Sequence, residues 1–105
     1  MSAAREMLPA GRLSETFDFD VEGAGYTATI GYYPDERPAE VFLNAAKLGG
    51  RADCDARDAA ILVSFALQHS VAIDDLRRAM TRGPQGAPRG VIGTVLDILA
   101  GGGVS

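Results

Sequence analysis

From Ser14 to Val21 apolar and polar residues alternate. Phe17, Phe19 and Val21 share one side, and Thr16, Asp18 and Asp20 share the other. A period of two predicts a half-buried strand with an acidic wet face. Glu22-Gly23-Ala24-Gly25 then supplies the permissive backbone of a hairpin turn. The return strand is predicted over residues 26–33. Tyr26, Ala28, Ile30 and Tyr32 lie on one face, Thr27, Thr29 and Tyr33 on the other. Pro34 and Pro38 bracket a second reversal, because proline fixes φ and removes a ladder donor. Over residues 39–43 the alternation resumes, with Val41 and Leu43 set against Glu40 and Phe42. The expectation is a three-stranded antiparallel meander, one face of which needs a cover.

The period then lengthens. Asp53 or Asp55 can cap a helix running to about His69. Ala59, Leu62, Val63, Ala66 and Leu67 recur at three- and four-residue steps and form its expected core stripe. Ile73, Leu76 and Met80 mark a second, shorter helix, with Asp74 and Asp75 in its first turn and Arg77, Arg78 and Arg82 at its end and beyond. Residues 83–90 are rich in Gly and Pro and read as loop. Val91, Ile92, Val95, Leu96 and Leu99 make a third stripe, stopped by Gly101, Gly102 and Gly103. The fold class is α+β: a meander under a long helix, followed by two shorter helices. Residues 1–13 lack a period and are expected to be a tail; residues 14–105 are expected to be one domain.

Composition narrows the function. In 105 residues, 47% of them apolar, the net charge is −4. That balance argues against a broad phosphate-binding face, so nucleic acid is not the expected partner. The single cysteine, Cys54, forbids an intrachain disulfide and fits a reducing compartment. With one cysteine and one histidine, a zinc site built from several of either is ruled out. No apolar run reaches membrane-spanning length, and the N-terminus has no apolar signal core. A cytoplasmic protein without cofactor or metal is expected.

The best site candidate is the loop of Asn44, Lys47, Gly49, Gly50 and Arg51. Two glycines before a helix let backbone N–H groups face outward, and Lys47 and Arg51 could meet a phosphate or carboxylate. The same glycines also suit a plain strand-to-helix connection, and the spacing is not that of a P-loop. Cys54 sits near a helix N-terminus, but His69 lies near the other end of that helix, so no nucleophile–base pair forms. Asp18, Asp20 and Glu22 are either an acid/base group or a solvated edge. Arg77, Arg78, Arg82 and Arg89 are either one basic patch or a solvated helix end. Tyr26, Tyr32 and Tyr33 either stack bases, which would make a homodimeric nucleic-acid-binding domain, or pack in the sheet. The third helix either completes the monomer core or leaves apolar surface for self-association.

Several blocks in order carry a resemblance. They are Gly31-Tyr-Tyr-Pro-Asp35, Pro38-Ala-Glu-Val-Phe-Leu-Asn44, Lys47-Leu-Gly49, Ala59-Ala-Ile-Leu-Val-Ser-Phe-Ala-Leu-Gln-His69, Val71-Ala-Ile-Asp-Asp-Leu76 and Ile92-Gly-Thr-Val-Leu-Asp97. From about Gly25 to Leu99 the chain resembles the TSCPD domain family. Such domains occur at the C-terminal end of vitamin B12-dependent ribonucleotide reductases and as small stand-alone proteins. Two departures stand out. Ser70-Val71-Ala72-Ile73 replaces a Gly-Val-Pro-Leu type turn, and the cysteine-containing segment is absent. The resemblance implies a non-catalytic accessory or regulatory module of DNA-precursor supply. Its implied partners are a ribonucleotide reductase large subunit or a nucleotide, beside the second copy that the third helix would allow. Radical ribonucleotide reduction itself needs several cysteines and a cofactor-binding barrel, which this chain cannot supply alone.

Overall fold

A computed structural model describes residues 13–101; the expected tail, apart from Leu13, and the end of the glycine run lie outside the described residues. Strands β1 (Ser14–Val21), β2 (Ala24–Tyr32) and β3 (Pro38–Ala45) form an antiparallel sheet in the order β1-β2-β3. Helices α1 (Arg51–Gln68), α2 (Ile73–Ala79) and α3 (Val91–Ala100) follow, with a short 3₁₀ turn at Pro84–Gly86. The α+β class and the meander with its covering helix are as expected.

Register explains the two faces. Phe17 pairs with Ala28, which pairs with Leu43; Ile30 pairs with Val41. With a period of two these side chains point to one face, where they meet Ala56, Ala60, Val63 and Leu67 of α1 and Val95, Leu96 and Leu99 of α3. Ile30, Leu43, Val95 and Leu96 are fully enclosed. Each such side chain is worth about 1.5–3 kcal/mol relative to exposure. The other face is polar: Thr16 and Thr29 share a hydrogen bond of 2.9 Å, and Thr27 donates to Asp18 at 2.7 Å.

Three expectations are corrected. Neither Asp53 nor Asp55 caps α1, because the helix begins earlier, at Arg51, with Gly50 in the cap position and no side-chain cap. Its core stripe is Ala56, Ala60, Val63 and Leu67, whereas Leu62 is 71% exposed and Ala59 and Ala66 are half-buried. Alanines at 56 and 60 let α1 approach the sheet closely, and that rotates Leu62 outward. Tyr33 does not share the wet face of Thr27 and Thr29. The β2–β3 register shifts after Gly31, and Tyr33 is buried, with Arg37 over its ring at 4.7 Å. On α3, the stripe closes the monomer core instead of leaving an apolar face uncovered.

Candidate functional site

The loop between β3 and α1 is organised by Asp53, at the third helical position and only 1% exposed. Its carboxylate accepts the N–H of Ala45 and of Gly49, each at 2.9 Å, and the side-chain amide of Asn44 at 3.4 Å. The Gly49 and Ala45 amides, in that order, hold this carboxyl below the usual carboxylate range despite its burial. Gly49 adopts φ +82°, a left-handed conformation that suits glycine. The N–H of Ala46 donates to the Gly25 carbonyl at 2.9 Å, tying the loop to the first hairpin.

The five predicted residues therefore separate. Asn44 and Gly49 turn inward onto Asp53. Lys47, Gly50 and Arg51 line one cavity of about 390 Å³, together with Gly25 and Ala46 at the open N-terminus of α1. Arg51 lies 3.7 Å from Asp55, and both side chains are mostly in water. Such a pair is weak and leaves the guanidinium available.

The remaining candidates resolve plainly. Cys54 is exposed at the first turn of α1, and His69 packs Nδ1 against the Phe65 carbonyl at the other end. Tyr26 and Tyr33 are buried, and Tyr32 donates to Glu15, so the tyrosines form no stacking platform. Burial, then the Glu15 hydrogen bond, pushes the Tyr32 phenol up. The arginines do not make one patch. Arg82 grips Asp97 through two nitrogens at 2.7 and 2.8 Å, Arg77 joins at 3.2 Å, and Arg89 lies 3.6 Å from Glu22. Among the described residues no group of three His, Cys, Asp or Glu is placed to hold a metal. No helix among them is long and apolar enough to cross a membrane.

A second site was not anticipated. Helix α1 lies along the free edge of β3 and runs antiparallel to it. Asp53 meets the Ala45 N–H, Ser64 Oγ accepts the Val41 N–H at 2.8 Å, and Gln68 donates to the Ala39 carbonyl at 3.0 Å. Sixteen helical positions rise about 22 Å and seven strand positions span about 20 Å, so the two runs match. Between these anchors a groove of about 370 Å³ opens, lined by Phe42, Ile61 and Phe65, with Arg57 and Glu40 also on its walls. Phe42 is 53% exposed, Ile61 53% and Phe65 45%, while Leu62 does not line the groove. The signal for this face was present in the chain. Ser64 and Gln68 interrupt the apolar period on the side where β3 needs partners, and Ile61 and Phe65 fall outside the alanine stripe.

The chain is 34% identical over 70 residues to a vitamin B12-dependent ribonucleotide reductase of Rhodopirellula baltica. The match covers 67% of this chain but 7% of that enzyme, so the chain corresponds to a small part of its relative. No family model matches the chain. No solved structure matches it.

Proposed function

We propose that this chain is a non-catalytic, TSCPD-like accessory module of ribonucleotide reduction that acts by docking onto protein through the α1–β3 face. The observation that carries the reading is the exposure of Phe42, Ile61 and Phe65 along one groove. Apolar patches of this kind on a small domain mark contact surfaces. The similarity to a segment of a far longer reductase supports the partner, since that segment is joined to the rest of an enzyme in the relative. The test mixes the purified chain with the B12-dependent reductase polypeptide of the same cells and follows co-migration in gel filtration. The expected result is a complex that Ile61→Glu, on the groove wall, weakens. No co-migration, or full co-migration of the variant, overturns the reading.

A second reading has its own observation. Lys47, Gly50 and Arg51 on one cavity at an uncapped helix start support capture of a nucleotide phosphate. Calorimetry with nucleoside di- and triphosphates checks it. Binding that Lys47→Ala and Arg51→Ala each weaken about tenfold is expected, and no heat with any nucleotide ends it.

A further inference from the structure

We propose that the cavity at the start of α1 takes a terminal phosphate, the phosphate of a monoester, and reads the phosphoryl group and not a base, with the Tyr26 hydroxyl as its buried donor. The proposal rests on the second reading above and names the ligand class of that site.

Tyr26 carries the argument. It is 9% exposed, it belongs to the core, and its ring centre lies 5.8 Å from that of Phe19. A phenol held that deep normally finds a partner for its O–H. Among the described residues the Tyr26 hydroxyl has none, and no side-chain oxygen among them is both sealed from solvent and unpaired. The Tyr26 oxygen therefore reaches open space, and the cavity of about 390 Å³ that Tyr26 lines provides it.

The same cavity gathers further donors. Gly50 brings no side-chain cap, and the first helical bond runs from the Cys54 N–H to the Gly50 carbonyl. The N–H groups of Arg51, Ala52 and Asp53 are thus left without a backbone acceptor. Lys47, on the cavity wall, has no carboxylate paired with it among the described residues. The acids nearby are engaged elsewhere. Asp53 accepts the Ala45 and Gly49 amides, Asp55 faces Arg51 in water, and Asp20, paired with Gly25 across the hairpin, does not line the cavity. Helix N–H groups, an ammonium and a phenol O–H all donate, and a phosphate dianion with three free oxygens accepts from all of them. The rest of the wall is small: Ala24, Ala45, Ala46 and Ala52. A base would find no carboxylate or amide side chain there to receive its amino groups. It would find no free aromatic face either, because the Tyr26 ring is buried against Phe19.

Phosphorus NMR and calorimetry of the full chain test this, with inorganic phosphate, ribose phosphate, a purine and a pyrimidine nucleoside monophosphate, and dimethyl phosphate, each up to about 10 mM. All but the last should bind within about threefold of one another, and the diester at least about tenfold more weakly. Tyr26→Phe keeps the ring and should weaken phosphate binding about tenfold with an unchanged circular dichroism spectrum. Lys47→Ala, on an exposed loop, should weaken it similarly. Nucleotide binding that inorganic phosphate does not reproduce, or that shifts more than about tenfold with the base, overturns the proposal and leaves the nucleotide reading standing. Phosphate binding indifferent to Tyr26→Phe overturns it too, as does a diester that binds equally well. No binding by any of these ligands removes both.

Discussion

Asp53 shows how much of a loop one side chain can determine. A carboxylate enclosed at a helix start must be matched by donors, and Ala45, Gly49 and Asn44 provide them. Asp53→Ala strands the buried Ala45 amide without an acceptor and leaves the Gly49 amide, on the exposed loop, to water. The melting temperature should fall by about 5–10 °C. Asp53→Asn keeps one acceptor oxygen and should fall less, and thermal unfolding by circular dichroism compares the two. The sequence marked Asp53 as a helix-start residue but assigned it the wrong job. Glycines at 49 and 50 allow the helix to begin at Arg51, and a residue two places inside the helix can reach backward only once the loop has folded over it. Leu62 was misplaced for a related reason. Both possible stripes contain Val63 and Leu67, and the side that wins is decided by how closely Ala56 and Ala60 let α1 approach the sheet.

At the scale of elements, the end of α1 explains a departure seen in the chain. The Val71 N–H donates to the Ala66 carbonyl and the Ser70 N–H to the Leu67 carbonyl, each at 3.0 Å. This is a Schellman ending, and it puts Ser70 at φ +68°. Ser70 stands at the position after the helix that glycine most often fills, so a Cβ is carried in a conformation that disfavours it. Ser70→Gly should stabilise the domain by about 1 kcal/mol, raising the melting temperature by about 4–8 °C. A lowered melting temperature would mean that the serine side chain contributes something the backbone account omits. The strands were legible almost to their ends, because alternation and two prolines fix them locally. The contact of α1 with the β3 edge was not legible. It depends on Ser64 and Gln68 finding backbone groups 23 and 29 residues away.

The whole molecule is closed by a second carboxylate. Asp97 on α3 receives Arg82 bidentately and Arg77 from α2, and Arg82 also donates to the carbonyls of Arg77 and Gly86. This one cluster fastens the loop after α2 across both short helices. The Arg82 hydrogen bonds, foremost, hold the Asp97 carboxyl below its ordinary range, as the Gly49 and Ala45 amides do for Asp53. A lowered folded pKa means that the unfolded chain binds protons first. The stability these groups give is complete above the unfolded value of about 3.9, and it is lost as pH falls through the lower folded values. The melting temperature should therefore hold level from neutral pH to about 5 and drop below about 4. Asp97→Asn should melt lower than the parent chain at pH 7, with the gap closing toward pH 2–3 as the parent carboxylate protonates. A gap that stays constant across that range would place the value of Asp97 in packing and not in its charge. Tyr32 works in the opposite direction at high pH, because its raised phenol keeps its proton when folded. Its contribution is complete below about 10 and fades above it, so the pH profile should fall on both sides of a broad plateau.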